Sequence, residues 1–187
     1  MKPSNSKSAG AYVALFRGIN VGGRNMLPMK DLVAFFLDAG CSDAQSYIQS
    51  GNVIFRAPPS LVARVPTRVV SAITKRFGIE ARIVVRSASE LPRVVEDNPY
   101  LHTRTDVASF HVAFLAEAPS AERVAALDPD RSPPDQFAVR GREIYLALPH
   151  GTARSKLTNQ YFDSKLGTTS TLRNWRTVLK LRELTGG

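Results

Sequence analysis

The chain has 187 residues, 43% of them hydrophobic, so it can bury the core of one domain or of two small subdomains. Its single cysteine, Cys41, excludes an internal disulfide and a cysteine-rich zinc cluster. The formal charge is +9, with +5 in residues 1–30, +5 in residues 151–187 and −1 in the stretch between them. This asymmetry indicates an anionic partner, such as nucleic acid or a phosphorylated small molecule, unless it serves only solubility.

The start of the chain and its hydropathy pattern indicate a cytoplasmic protein. Residues 1–10 are polar and lack the apolar segment of a secretory signal, which predicts a disordered tail. No run approaches the roughly 18 apolar residues that a membrane helix needs. We therefore expect no membrane partner. No cofactor is expected, and a monomer is the favoured oligomeric state.

Residues 11–104 predict the element order β-α-β-β-α-β, which is the ferredoxin-like signature. The strands are expected at 12–16, 45–49, 53–56 and 82–86, and the helices after Pro28 and around 65–77. Pro66 either begins the regular part of the second helix or kinks a longer helix that starts near Ser60. A further helix follows, with Ser89 as its predicted N-cap and Pro92 at its third position.

Residues 105–187 predict a second small α+β subdomain with the element order β-α-β-β-α-α. Its strands are expected at 109–115, 137–140 and 143–148, and its helices at 121–127, 154–166 and 171–184. Apart from the coarse reuse of β-α-β-β, no internal repeat is evident. The predicted fold class is therefore α+β, with two subdomains.

The connection between the first strand and the first helix has the most unusual composition in the chain. Its glycines and asparagines permit left-handed backbone, and consecutive N–H groups there can form an anion-binding nest flanked by fork-shaped arginine donors. The spacing is G-x-x-x-G-G, which is neither the dinucleotide fingerprint nor a P-loop. The alternative is a β-to-α connection that needs its glycines for geometry alone. The candidate ligand-binding residues here are Arg17, Gly18, Asn20, Gly22, Gly23, Arg24 and Asn25.

A second candidate site lies in the turn before the third strand, where Gln49, Ser50 and Asn52 cluster neutral hydrogen-bonding groups. In a ferredoxin-like sheet this turn lies at the end where the first strand closes, beside the Arg17–Asn25 loop. We therefore expect the two loops to be neighbours. The commoner explanation of the turn is a hairpin that uses Ser50, Gly51 and Asn52 for its geometry.

The basic C-terminal region supplies the third group of candidates, which are Ser155, Lys156, Arg173 and Asn174. Lys156 and Asn159 are expected on one helical face, and Arg173 and Asn174 at the start of the last helix, as parts of a positive surface. Adjacent helical residues point apart, so Ser155 and Lys156 make a poor nucleophile and base.

Groups for metal or nucleophilic chemistry are scattered along the chain. The three histidines have no carboxylate or second histidine at ligand spacing, and Cys41 has no activating neighbour. No metal site is predicted, no catalytic residue can be named, and the sequence leaves open whether the protein is an enzyme.

Three long motifs resemble one known family. The segments YVALFRGINVGGRNMLPMKDL, YIQSGNVIF and SKLTN…LGT…RNWRTVLKL are similar to the bacterial proteins grouped as domain of unknown function 1697, over about residues 12–181. The resemblance implies a ferredoxin-like subdomain followed by a second α+β subdomain, and it implies no activity. The motif positions that match are Arg17, Gly18, Asn20, Gly22, Gly23, Asn25, Gln49, Ser50, Gly51, Asn52, Ser155, Lys156, Leu157 and Asn174.

Three functions are open at this point. The leading hypothesis is a non-enzymatic binder of a phosphate-bearing partner, foremost RNA or DNA, through electrostatic contacts that weaken with salt. The first strand lacks the aromatic RNA-recognition pattern, so base stacking is not expected. The second is an enzyme or sensor for a small phosphorylated or carboxylated metabolite, in which Arg17 and Lys156 stabilise charge. The third is a protein-interaction module that uses the exposed sheet.

Overall fold

The computed structural model describes residues 9–49, 51–102 and 106–186, and the chain divides into two compact units. The first unit runs to Ser89 and includes residues 185–187, and the second runs from Glu90 to Leu184. Each unit contains a four-stranded antiparallel sheet with helices, which confirms the predicted α+β class. None of the helices in the described ranges is long and apolar enough to cross a bilayer.

The first unit has the predicted order of strands and helices. Its elements are β1 (Gly10–Arg17), α1 (Met29–Asp38), β2 (Ser42–Tyr47), β3 (Asn52–Ala57), α2 (Pro59–Val62), α3 (Val65–Phe77) and β4 (Arg82–Ser87). Neighbours in the sheet order β2-β3-β1-β4 are antiparallel. Gly10, which the sequence assigns to a disordered tail, opposes Ala57 as the first residue of β1. The tail before Ala9 lies outside the described residues.

The core of the first unit is built from its sheet, α1 and α3. Phe36 of α1 contacts Phe16 and Phe55 of the sheet, with ring centroids 6.1 and 5.0 Å away. Pro66 lies in the first turn of α3, where its missing N–H costs no helical hydrogen bond. The chain therefore forms α2 and α3 as separate helices, instead of one kinked helix from Ser60.

The second unit begins with a short helix and then builds its own sheet. Its elements are α4 (Leu91–Glu96), β5 (Phe110–Leu115), α5 (Ala121–Ala125), β6 (Gln136–Arg140), β7 (Glu143–Ala147), α6 (Asn159–Leu166), β8 (Ser170–Asn174) and α7 (Trp175–Leu184). The strand order is β6-β7-β5-β8, again antiparallel throughout. Phe162 of α6 packs edge-to-face on Phe137 of β6, within the core on one side of the sheet.

The predicted last helix was wrong over residues 171–174, which belong to strand β8 (Ser170–Asn174). This strand pairs with β5 along its whole length, and Ser170 N and Oγ donate to Asp163 Oδ1 at 2.7 and 2.6 Å. Helical spacing of apolar residues cannot reveal such a strand, because the partner edge exists only after β5 has folded. The element order after α4 is therefore β-α-β-β-α-β-α, and not β-α-β-β-α-α.

The predicted helix cap at Ser89 was also wrong. Ser89 lies in a 3-10 turn at residues 88–90, and α4 follows without a side-chain cap. Arg140 of β6 donates to Asp97 O at 2.8 Å, and Arg142 forms an ion pair with Glu90. Because these contacts join the α4 segment to the second sheet, the units divide after Ser89, whereas the sequence predicts a division near residue 104.

The two sheets share their register as well as their strand order. Val13 of β1 opposes Arg86 of β4, and Val112 of β5 opposes Arg173 of β8. The central strands read YVALF and HVAFL around these two valines, and both arginines are buried. The chain therefore contains an internal structural repeat. It was missed in the sequence because the matching stretch is too short to separate from chance.

Candidate functional site

The connection from β1 to α1 folds as a miniature hairpin. Arg24 N donates to the carbonyl three residues earlier at 3.0 Å, and Gly22 and Gly23 between them have φ angles of 57° and 73°. Positive φ at both central residues is typical of a type I′ turn, which favours glycine. Beneath the turn, Asn20 N donates to Asn25 O at 3.0 Å. Both glycines are needed for conformation rather than space, because a Cβ on either would meet no described atom within 4 Å.

Two asparagine side chains hold the hairpin in place. Asn20 Oδ1 accepts from Leu27 N at 2.7 Å, and Asn20 Nδ2 donates to Leu27 O at 2.9 Å and to Gln49 O at 3.2 Å. Asn25 Nδ2 donates to Gly18 O at 2.6 Å. Both residues have left-handed φ, which asparagine tolerates better than most residues. We therefore assign Asn20 and Asn25 to the architecture of the loop rather than to ligand contact.

The turn between β2 and β3 lies against the end of β1, as the sequence predicts. Phe16 N donates to Gly51 O at 2.8 Å. A Cβ on Gly51 would lie 2.8 Å from Phe16 Cβ, and its φ is +75°, so only glycine fits. Asn52 is buried and donates to a β2 carbonyl at 3.2 Å, whereas Gln49 is exposed. Ser50, the other predicted residue of this turn, lies outside the described residues.

Basic side chains gather at the end of the first unit where the hairpin lies. Arg17 closes β1 and opposes Arg82, the first residue of β4. Arg76 in the last turn of α3 forms a 3.2 Å ion pair with Asp31 in the first turn of α1, which brings α3 to the same end. We call this region the loop end; its cations are Arg17, Arg24, Lys30, Lys75, Arg76 and Arg82.

Three loop-end cations have no acidic partner in the described part of the chain. Arg24, Lys30 and Lys75 are exposed, and no hydrogen bond or ion pair with a described residue engages their charged groups. Arg76 is engaged by Asp31 and lies 5.4 Å from a neighbouring phenylalanine ring. A basic last turn stabilises α3 through the helix dipole, which explains Lys75 and Arg76 without a ligand. Arg24, at the hairpin tip, has no such structural role.

The division into units changes the interpretation of the net charge. Residues 1–89 contain 12 Lys/Arg and 4 Asp/Glu, whereas residues 90–187 contain 13 and 12. Nearly all of the +9 charge therefore belongs to the first unit. The basic C-terminal segment is balanced by acidic residues of its own unit.

The structure contradicts the predicted place of Arg173 on a basic surface. Arg173 lies in β8 and is buried, and desolvation lowers its pKa to about 10. Its Nη1 donates to Thr171 Oγ1 and to Leu172 O, each at 2.8 Å. Arg173 occupies the position that Arg86 has in the first unit, so both belong to the interior of the repeat.

Of the remaining C-terminal candidates, Asn174 lies at the start of the last helix as predicted, whereas Ser155 and Lys156 lie outside the helix predicted for them. Because α6 begins at Asn159, Lys156 precedes the helix and does not share a face with it. Ser155 Oγ accepts a backbone N–H two residues ahead at 3.0 Å. Asn174 ends β8, and its Oδ1 accepts the N–H three residues ahead at 2.8 Å, which caps α7. Among these three side chains, only Lys156 presents an exposed charge.

Groups for metal binding or acid–base chemistry are dispersed. Over the described ranges, no three His, Cys, Asp or Glu residues lie close enough to hold a metal ion. Burial lowers the pKa of His111 in β5, and its hydrogen-bonding contact with Ser109 O at 3.0 Å opposes that shift. Burial raises the pKa of the Cys41 thiol, which keeps it protonated and unreactive at neutral pH.

Three exposed apolar side chains at the loop end were not anticipated from the sequence. Val21 and Met26 in the hairpin segment are 67% and 61% exposed, and Ile48 in the neighbouring turn is 50% exposed. Ile48 has a φ of 50°, which is unusual for a β-branched residue. The sequence feature that could have revealed this surface was the presence of apolar residues, Val21 and Met26, inside a connection rich in glycine and asparagine. The loop end thus combines exposed charge with exposed apolar surface.

Comparison with known proteins bears on the fold and the family. A search of curated proteins found no match. The structure of the conserved bacterial protein SP0830 from Streptococcus pneumoniae is similar, with a TM-score of 0.73 and 21% identity over 96% of this chain and 100% of that one. Likeness at this level of identity concerns the fold alone. A family profile described as protein of unknown function, DUF1697, matches residues 10–145, which is most of the chain. The chain therefore belongs to the DUF1697 family.

Proposed function

We propose that the protein binds a phosphate-bearing partner, foremost nucleic acid, without catalysis and through the loop end of its first unit. The observation that carries the proposal is the difference in charge between the units, +8 for residues 1–89 and +1 for residues 90–187. Because both units use the same sheet, a general need for solubility does not account for this difference. The exposed cations Arg24, Lys30 and Lys75 supply the electrostatic contacts.

We also propose that each unit is ferredoxin-like, which the strand orders β2-β3-β1-β4 and β6-β7-β5-β8 support.

RNA-recognition motifs bind single strands on an open sheet face that carries aromatic residues. Here the sheet face that carries Val13, Leu15 and Arg86 is buried in the folded chain. Contacts with a nucleic acid therefore come from loops and helix ends, which favours the loop end as the binding surface.

The test is fluorescence anisotropy with labelled RNA, single-stranded DNA and duplex DNA at several salt concentrations. Contacts by three cations predict a log–log slope of affinity against salt of about −2 to −3. Arg24→Gln should make this slope shallower by about one unit. Arg64→Gln is the matched control, because Arg64 is exposed at the opposite end of α3.

Equal effects of the two substitutions, or an affinity independent of salt, would contradict the proposal. A thermal shift produced by a single phosphate ester and insensitive to moderate salt would point instead to a metabolite ligand. Both measurements use the full chain, so they need no assumption about either unit folding alone.

A further inference from the structure

The exposed apolar side chains of the loop end are not explained by electrostatic binding. Val21, Met26 and Ile48 lie on two connections that are joined by the hydrogen bond from Asn20 Nδ2 to Gln49 O. Single exposed apolar residues are ordinary on protein surfaces, but three on adjoining loops beside exposed cations call for an explanation. A partner for this surface offers anionic groups and apolar surface next to each other.

The residue types at this surface favour one mode of nucleic-acid binding over another. Proteins that bind single strands stack the bases on aromatic side chains. The large hydrophobic residues that are exposed in the described part of the chain are all aliphatic. Aliphatic side chains such as Ile and Met act instead as wedges between base pairs, in proteins that enter the minor groove of a duplex.

The shape of the hairpin is compatible with entry into that groove when the duplex bends. Its tip consists of Gly22 and Gly23, so no side chain widens the two-stranded ribbon there, and β-ribbons enter the minor groove of DNA that they bend. The two residue pairs beneath the tip extend it by about 7 Å. Arg24 follows the glycines and is exposed, so its guanidinium can reach the negative potential of the groove.

The hairpin is also organised before any partner binds. The side chain of Asn20 ties the hairpin to Leu27, ahead of α1, and to Gln49 in the neighbouring turn, and the side chain of Asn25 ties it to Gly18. A loop that is already ordered loses less conformational entropy on binding than a free one. Its wedge residues are therefore presented in a defined orientation rather than on a disordered segment.

We propose that the partner is duplex DNA and that the hairpin enters its minor groove, with Arg24 in the groove and Val21 and Met26 pressed against a base step. Partial unstacking of that step bends the duplex. Ile48 extends the apolar contact from the adjacent turn. This inference rests on the proposed function, because the same loop end supplies the phosphate contacts.

The test uses the full chain and a short duplex that carries donor and acceptor dyes at its two ends. Binding should increase energy transfer, because bending shortens the distance between the ends. Val21→Ser combined with Met26→Gln should abolish this increase and weaken duplex binding about tenfold. Leu37→Gln is the matched control, because Leu37 is an exposed aliphatic residue at the opposite end of α1, and it should leave both readouts unchanged.

Displacement by netropsin, a small minor-groove ligand, is the second readout and should be complete. Duplex binding without bending, or binding that netropsin does not displace, overturns this inference and leaves the proposed function standing. Absence of binding to every nucleic acid overturns both. A preference for single strands over duplex, or binding to phosphatidylserine vesicles in place of DNA, also overturns the inference.

Discussion

The two units are built on one sheet pattern and differ in what is attached to it. The contact from Phe16 N to Gly51 O at 2.8 Å recurs in the second unit from Leu115 N to Arg142 O at 2.9 Å. The connection after β1 has eleven residues, however, and the connection after β5 has five. Since the second unit closes the same sheet with the shorter connection, the length of the first is not required by the scaffold. The added residues are the hairpin.

The base of the hairpin shows a second difference between the units. Arg17 and Arg82 oppose each other across β1 and β4. The corresponding residues of the second unit are Ala116 and Thr169, joined by a backbone hydrogen bond of 2.8 Å. The first unit therefore places two cations at positions where the second unit has two neutral residues, next to the loop for which we propose a function.

The largest expected effect concerns the glycine that holds the turn to β1. Gly51→Ala should lower the free energy of unfolding by about 3 kcal/mol, since it combines a left-handed backbone with a methyl group 2.8 Å from Phe16 Cβ. Gly141→Ala, in the hairpin of the second unit, should cost about 1 kcal/mol because its Cβ meets no described atom within 4 Å. Urea denaturation of both variants measures the difference. Equal losses of unfolding free energy in the two variants would show that crowding around the added Cβ of residue 51 does not contribute.

The next effect tests whether function is confined to one unit. Replacement of Arg24, Lys30 and Lys75 by glutamine should weaken binding to a nucleic acid about a hundredfold at low salt. The same change at Arg123, Arg154 and Lys165, which are exposed in the second unit, should have a small and uniform effect. Anisotropy titrations compare the two triple variants, which have the same net charge. Similar losses in the two triple variants would remove the distinction between the units.

A smaller effect is expected at the asparagine that organises the hairpin. Asn20→Ala removes the partners of Leu27 N and O and the tie to Gln49, so it should lower the free energy of unfolding by about 2 kcal/mol. Asn174→Ala removes only the cap of α7 and should cost about 1 kcal/mol. Hydrogen exchange at the Leu27 amide should accelerate in the first variant alone. Unchanged protection there would refute the role given to Asn20.

The smallest expected effect concerns His111, which occupies in β5 the position that Tyr12 occupies in β1. Burial lowers the pKa of His111 below its ordinary value of 6.5, so the unfolded chain binds the proton more tightly than the folded chain. Stability from neutral His111 is therefore present above that value and is lost as the pH falls through it toward the lowered folded pKa. His111→Tyr, which introduces the residue found at Tyr12, should flatten the decline in unfolding free energy as the pH falls below 6.5. An unchanged decline in this variant would refute the contribution given to His111.

The candidate site was only partly predictable from the sequence. The glycines and asparagines identified the β1–α1 connection, and strand order correctly placed the Gln49–Asn52 turn beside it. Composition did not reveal that Asn20, Asn25 and Asn52 are engaged by backbone groups, because their partners lie five to 29 residues away along the chain and are brought close only by the folded turns. The prediction of a surface position for Arg173 was wrong for a similar reason. Arg173 looks like a surface cation until β8 pairs with β5 and buries it.

The sequence by itself determined the α+β class, the element order of the first unit and the location of the unusual loop. These follow from local causes: apolar periodicity, proline and glycine positions, and a strand too short and apolar to be anything but central. Only the tertiary structure decided that residues 170–174 form a strand, that the chain contains a repeat, and which unit carries the charge. Those properties depend on pairing between residues far apart in the chain, and no local pattern encodes the edge against which a strand finally pairs.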